Sequence, residues 1–173
     1  MRAPEPFTVR YGKNPDTIAI ALEGRVHYAF TARLRTLFDE LAGRLRNETL
    51  LVDLRLLEAI DSTGMGLLAR LGRASLRRGR RGVIVCSNDD VSICLRSAAF
   101  DELFVFLTEW PFEETIPLGE VPLGGGEWSP EQLGKVMLEA HRDLASLSER
   151  NRESFAAVIS ALEAECEAPA RAE

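Results

Sequence analysis

A short polar stretch, Asp61–Gly66 (DSTGMG), holds the residues of this chain whose types and spacing could do chemistry. It places one carboxylate, two hydroxyls and two glycines directly before the leucine-rich run Leu67–Gly72. Three kinds of site fit such a set: a nucleophilic serine, a loop that binds the phosphates of a nucleotide, and a serine that is itself phosphorylated.

A nucleophilic serine of the hydrolase type is disfavoured by the residues around Ser62. The sharp turn that presents such a serine needs glycine two positions earlier, where this chain has Ile60. A histidine base is also required, and the chain has only His27 and His141, which we interpret as surface or structural residues. We therefore expect a protein without enzyme activity.

The segment Gly64–Ala69 matches the dinucleotide fingerprint G-x-G-x-x-A, with Asp89 loosely placed as a ribose ligand. In that fingerprint the glycines follow their strand at once, whereas nine residues separate Leu54 from Gly64 here. We favour a structural interpretation, in which the small residues let a helix and a sheet approach closely. The three cysteines have no CxxC or His-paired spacing, so we expect neither a metal site nor a cofactor.

A regulatory phosphosite is the third interpretation. Ser62 begins a predicted helix, where its hydroxyl can cap backbone N–H groups. A phosphate there would add about −1.5 to −2 charges at the positive end of the helix, which a docked partner would sense. The residue types alone favour equally a plain helix cap at Ser62 with Asp61 as a loop acid.

Strand and helix patterns alternate along the first hundred residues. Period-2 or apolar runs predict strands, and apolar positions three and four apart predict helices. The predicted strands are Pro6–Tyr11, Asp16–Gly24, Thr49–Leu54, Gly82–Ser87 and Leu103–Leu107, and the helices are Thr31–Leu45, Ser62–Gly79 and Asp89–Phe100. This ββαβαβαβ order predicts an α/β fold with a central, mostly parallel sheet, an antiparallel edge hairpin and flanking helices.

The remainder of the chain divides by composition. Residues 1–108 form the predicted α/β domain, 109–129 a linker rich in Pro and Gly, 130–167 a helical extension and 168–173 a disordered tail. A long helix of roughly 35 residues would span about 50 Å.

The helical extension has one apolar stripe. Its members fall at coiled-coil spacing, with a stutter after Asn151: Leu133, Met137, Ala140, Leu144, Leu147, Asn151, Phe155, Ile159, Leu162 and Cys166. Asn151 at an a-type position favours a parallel homodimer through residues 133–162. Gly134 and the stutter favour a shorter helix folded back on its own domain. Of the two outcomes we favour self-association and keep the folded-back helix as the alternative.

Charge is uneven along the chain. The net charge is −6, and residues 127–173 hold ten acidic and five basic residues. An acidic protein without a long apolar run is expected to bind neither nucleic acid nor membrane and to reside in the cytoplasm. The basic stripe Arg70–Arg81 on the second helix is a solvated face or a docking surface for an acidic partner or for the chain's own tail.

The order ββαβαβαβ, with DSTGMG opening the second helix and LRSAAFDELFVFL (Leu95–Leu107) closing the unit, resembles the STAS domain of bacterial anti-sigma factor antagonists. The resemblance covers roughly residues 7–108. It implies that Ser62 is phosphorylated by a serine kinase of the GHKL type that doubles as the anti-sigma factor. A PP2C-type phosphatase would remove the phosphate, and Thr63 matches a second modifiable residue of stressosome relatives.

The resemblance also implies the contact residues. In this interpretation the unphosphorylated form binds the kinase and releases the sigma factor. The partner surface would comprise Asp61, Ser62, Thr63, Gly64, Met65 and Gly66, together with Gly24 and His27 after the second strand.

Two features depart from the family pattern. After the second strand the family usually shows an Asp where this chain has His27, which is expected to alter kinase docking. The acidic helical extension is also unusual in the family. A stressosome-like or other STAS scaffold assembled by the tail, or a target other than a sigma factor, such as a cyclase or a lipid-transport complex, is the alternative.

Overall fold

The structure is a computed structural model that describes residues 7–112, 115–122 and 128–167. Its strands and helices follow one another in the order predicted for the first hundred residues, with additions described below. The strands are β1 (Thr8–Lys13), β2 (Thr17–Val26), β3 (Thr49–Asp53), β4 (Leu57–Ile60), β5 (Gly82–Val85), β6 (Phe104–Leu107) and β7 (Gly119–Glu120). The helices are α1 (Thr31–Arg44), α2 (Ser62–Leu76), α3 (Asp89–Ser97), α4 (Pro130–Ala145) and α5 (Glu149–Glu167), with short 3-10 turns at Tyr28–Phe30 and Phe100–Glu102.

The sheet has the order β6-β5-β3-β2-β1-β7, and β4 pairs with the end of β2. The pairs β2/β3, β3/β5, β5/β6 and β2/β4 are parallel, whereas β1 pairs antiparallel with both β2 and β7. The predicted mixed sheet with an antiparallel edge hairpin is therefore confirmed.

The two faces of the sheet are covered differently. The alternation along β2 directs Ile18, Ile20 and Leu22 into the main core, which the helices complete. Ala19 lies on the opposite face, in a smaller cluster with buried Ile116 and half-buried Trp110. The segment predicted as a linker thus covers the second face of the sheet.

Two short strands were missing from the sequence prediction. Leu57–Ile60 was expected to be a loop and forms β4, and Gly119–Glu120 pairs with Arg10 and Tyr11 of β1. Each is too short to show a period, and only its position beside an existing strand gives it hydrogen-bond partners.

The expectation of one continuous C-terminal helix of roughly 35 residues is wrong. The helix breaks at residues 146–148, and α4 and α5 pack against each other as a helical hairpin on α2. The apolar stripe is buried or half-buried, as its spacing predicted, but inside its own chain.

The homodimer interpretation of residues 133–162 loses its main support. Asn151 does not face a second Asn: its side-chain amide donates to the carbonyl oxygens of Ala98 (2.9 Å) and Leu144 (3.0 Å). The alternative of a helix folded back on its own domain describes the structure, since burial against α2 satisfies the stripe that a partner chain would otherwise cover.

Across the described ranges, no helix is long and apolar enough to cross a membrane. The predicted disordered tail, 168–173, lies outside the described residues, as do 113–114 and 123–127 of the predicted linker and 1–6 of the predicted domain.

Candidate functional site

Asp61, and not Ser62, caps helix α2. The Asp61 backbone is extended, and its Oδ1 accepts a hydrogen bond from the Gly64 N–H at 2.8 Å. The suggestion that Ser62 is the cap and Asp61 only a loop acid is therefore wrong. A carboxylate at this position also interacts favourably with the positive end of the helix, which a hydroxyl does less well. Ser62 becomes the first helical residue, and its hydroxyl has a different partner.

That partner is His141 of α4, whose Nε2 lies 2.9 Å from the Ser62 Oγ. His141 Nδ1 lies 2.7 Å from the carbonyl oxygen of Met137, one helical turn earlier. A carbonyl only accepts, so Nδ1 carries a proton, and in the neutral imidazole Nε2 then accepts the hydrogen bond from the Ser62 hydroxyl. The serine at the centre of the DSTGMG motif is thus held by the C-terminal hairpin.

His141 is a buried structural residue rather than a surface residue. It is 4% exposed, and its ring meets that of Phe155 edge-on with the centroids 5.8 Å apart. Sequence reasoning did not connect it with Ser62, because 79 positions separate the two residues. The sequence did contain one indication that His141 is buried. It lies four residues after Met137 and three before Leu144, which places it on the side of α4 that carries the apolar stripe.

The two glycines of the motif allow close approaches on different sides of α2. A Cβ at Gly64 would lie 2.6 Å from Val26 Cγ1 at the end of β2. A Cβ at Gly66 would lie 2.2 Å from the Ala140 carbonyl oxygen. The structural interpretation of the fingerprint match is supported for Gly64 and extended by Gly66, which brings α4 against α2.

The other motif side chains point inward. Thr63 is 3% exposed and Met65 is 5% exposed, and the Met65 sulfur lies 3.8 Å from that of Cys94. In this conformation the Thr63 hydroxyl is not presented to a kinase, whereas Ser62 is half-buried.

The end of β2 lies beside the motif, as the predicted site requires. The Val26 carbonyl accepts a hydrogen bond from the Asp61 N–H at 3.2 Å. Gly24 has φ +85° at a register shift between β2 and β4 and donates its N–H to Leu56 at 2.9 Å. His27 is half-buried with its ring 4.7 Å from that of Phe30. The structure therefore brings the Gly24–His27 segment to the start of α2.

Ion pairs join the hairpin to the domain beside Ser62. Arg73 contacts the Asp143 carboxylate (3.2 Å) and its carbonyl oxygen (3.0 Å), and Arg70 lies 3.6 Å from both Asp143 and Glu139. Arg35 of α1 binds Glu139 at 2.6 Å. The proposal that the arginine stripe meets the chain's own tail holds for Arg70 and Arg73.

Burial raises the pKa of Asp143 above its usual range, against the opposing effect of Arg73 and Arg70. The free-energy cost of removing water from this carboxylate therefore exceeds what the arginines return. Ion pairs of this kind orient α4 on α2 more than they stabilise it.

A second polar cluster lies on the other side of the molecule. Arg55 binds Asp53 through two hydrogen bonds of 2.9 and 2.8 Å, beside a groove of about 360 Å³ that Leu118 also lines. The groove does not include Ser62 or His141, so it is separate from the motif. Within the described parts of the chain, no cluster of three or more His, Cys, Asp or Glu side chains could hold a metal ion.

Comparisons with known proteins identify the α/β domain. Residues 9–108 match the family model described as "Mlab, STAS domain". One solved structure that matches is an uncharacterized protein of the DUF3478 family with a SpoIIAA-like fold from Shewanella loihica PV-4, at 16% identity, covering 63% of this chain and 91% of that chain with a TM-score of 0.42. No curated protein matches the chain.

Proposed function

This chain belongs to the STAS domain family, and on that premise we propose that it is a non-enzymatic, cytoplasmic protein-binding switch controlled by phosphorylation of Ser62. The observation that carries the proposal is the placement of Ser62 on the first turn of α2 with its hydroxyl left out of the helix cap. Because Asp61 caps the helix, a phosphate on Ser62 removes no capping contact, and its charge is favourable at this end of α2. The modification therefore changes the surface and leaves the cap of α2 in place.

The partners are those that the resemblance implies. A GHKL-type serine kinase that is also an anti-sigma factor binds the unphosphorylated form, and a PP2C-type phosphatase restores it. The binding surface comprises the start of α2 and the adjoining Gly24–His27 segment, which a hydrogen bond between Asp61 and Val26 holds together.

The experiment is phosphorylation of the full chain. We would incubate it with ATP and each purified GHKL-type kinase of its source organism and locate the phosphate by mass spectrometry. We expect one phosphate on Ser62, lost in Ser62→Ala and retained in Ser97→Ala, a matched loss of an exposed helical hydroxyl. Phosphate on other residues alone, or on none while a kinase phosphorylates a control substrate, would contradict the proposal.

Binding tests the second half of the switch. The kinase that phosphorylates Ser62 should bind Ser62→Ala as it binds the unmodified chain and should bind the phosphorylated chain more weakly. Calorimetry measures both affinities. Equal affinity for the two forms would leave Ser62 without a switching role.

The scaffold alternative has less support. It required the helical tail to pair between chains, and the apolar stripe of the tail is instead packed within one chain. Assembly of the full chain into large particles, seen by light scattering, would restore that alternative.

A further inference from the structure

The C-terminal hairpin lies over the residue that the proposed switch modifies. His141 occupies the space next to the Ser62 Oγ, and its Nε2 is one hydrogen-bond length, 2.9 Å, away. In phosphoryl transfer the Oγ attacks the γ-phosphorus of ATP, the bond from that phosphorus to the oxygen of the departing ADP breaks, and the hydroxyl proton passes to a base of the kinase. The γ-phosphoryl group that accepts this attack, a phosphorus with three oxygens, cannot reach the Ser62 Oγ through the space that the imidazole fills.

We propose that the α4–α5 hairpin is a displaceable cover over Ser62: the closed hairpin blocks phosphoryl transfer to the Ser62 hydroxyl, the kinase acts on the minor open form, and a phosphate on Ser62 holds the hairpin open. This inference rests on the proposed function of Ser62. It assigns the helical extension a role in regulation by the same site.

The contact between α4 and α2 includes a close approach of the two main chains at Gly66. Gly66 leaves room for the main chain of Ala140, and a Cβ there would lie 2.2 Å from its carbonyl oxygen. This approach brings the next residue, His141, to Ser62. The geometry of the cover is therefore fixed by backbone packing rather than by the hydrogen bond alone.

The polar contacts at this interface are ones that a partner can replace. The side chains of Arg70, Arg73, Glu139 and Asp143 are between 22% and 47% exposed. Half-exposed ion pairs each contribute little to stability and weaken with salt.

Opening of the hairpin also costs free energy, because it exposes apolar side chains of the core. Leu144 and Val136 of α4 are buried in the main core cluster and would be uncovered. The open state is therefore minor until phosphate or a partner favours it, as in any two-state equilibrium biased by differential binding.

Hydrogen exchange of the full chain tests the cover without any kinase. Phosphoserine is installed at position 62 during translation, and amide exchange is compared with that of the unmodified chain by mass spectrometry. We expect the amides of Val136–Ala145 to exchange at least about tenfold faster in the phosphorylated chain, while those of Leu50–Asp53 in β3 stay protected. Equal protection of α4 in the two chains would overturn the proposal.

A pair of charge reversals tests whether the hairpin contact itself is the cover. Asp143→Lys places a cation against Arg70 and Arg73, whereas Glu163→Lys makes the same charge change at an ion pair between α4 and α5, Arg142–Glu163 (2.7 Å). We expect Asp143→Lys, and not Glu163→Lys, to increase exchange in α4. The opposite order would contradict a cover held through α2.

A second pair of variants tests the same contact without changing the charge of the chain. Gly66→Ala inserts a methyl group at the α2–α4 contact, and Gly43→Ala inserts one in α1 where no atom lies within 4 Å. We expect faster exchange in α4 for Gly66→Ala only. Equal protection in both variants would contradict the role of this contact, and general loss of protection in β3 would show that Gly66 serves the fold rather than the cover.

The two proposals can fail separately. If installed phosphate opens the hairpin but no kinase modifies Ser62, the proposed function fails and the cover stands. If a kinase modifies Ser62 but phosphate leaves α4 protected, the switch stands and the cover is wrong.

Discussion

Two neighbouring residues perform two tasks at the start of α2. Asp61 caps the helix, and Ser62 carries the hydroxyl that the proposed switch modifies. Asp61 accepts the hydrogen bond of the Gly64 N–H, and the Ser62 hydroxyl donates to His141. The stability of α2 is thereby separated from the state of the serine, because modification of Ser62 leaves the cap intact.

Replacement of Asp61 measures how much the cap contributes to the stability of α2. Asp61→Ala should lower the free energy of unfolding by about 1 kcal/mol, because the Gly64 N–H loses its acceptor. Asp61→Asn should lower it by less, since an amide oxygen caps a helix nearly as well as a carboxylate. Urea denaturation monitored by circular dichroism measures both. Equal stability of Asp61→Ala and wild type would show that the cap does not support α2.

Asn151 connects α5 to two other parts of the chain. It is 3% exposed, and its amide serves the carbonyl oxygens of Ala98 and Leu144, which end α3 and lie within α4. The side chain thus fixes the start of α5 relative to both helices.

Removal of the Asn151 side-chain amide should lower the stability of the protein. Asn151→Ala leaves two carbonyl groups without their donor, and the expected loss in the free energy of unfolding is about 1–3 kcal/mol. Glu153→Ala, an exposed change on the same helix, serves as the control. A loss below that of the control would mean that water replaces the amide.

The pKa of Asp143 predicts how the hairpin responds to acid. Burial raises this pKa, so the folded chain binds the proton more tightly than the unfolded chain does. The stability contributed by Asp143 is therefore fully present below its unfolded pKa and is lost as pH rises through its folded pKa.

Comparison with Asp143→Asn isolates this contribution. From about pH 6 to about pH 4 the free energy of unfolding of wild type should rise relative to that of the variant. Urea denaturation across this range measures the difference. A relative fall of wild type on acidification would mean that the arginines outweigh burial.

Strongly periodic elements could be predicted from sequence, and the contacts between them could not. The spacing of Leu34, Phe38 and Leu41 identified α1, and the residues of β3 identified a buried strand. The stripe of the tail predicted a buried face, but the same spacing suits a second chain or the chain's own domain. The Ser62–His141 contact depends on that choice, so sequence alone could not give it.

At the scale of the whole molecule, the hairpin makes the tail part of the domain's core. Leu144 is 0% exposed and belongs to the same cluster as the helices and strands of residues 9–104. Stability should therefore be a property of the single chain and should not depend on its concentration.

Leu144→Ala tests this. The cavity should lower the free energy of unfolding by about 2–5 kcal/mol, equally at two protein concentrations that differ tenfold. Val158→Ala, at a partly exposed position of α5, should cost much less. A loss of stability that shrinks as concentration rises would indicate that Leu144 lies in an interface between chains.

The last strand has a consequence for the behaviour of the protein at high concentration. Strand β7 pairs with Arg10 and Tyr11 on the outer side of β1, and Pro117 and Pro122 lie two positions before and after its two residues. Proline has no N–H to donate, so this edge offers a second molecule no continuous ladder to extend. Edge-to-edge β-aggregation is thereby hindered along β1.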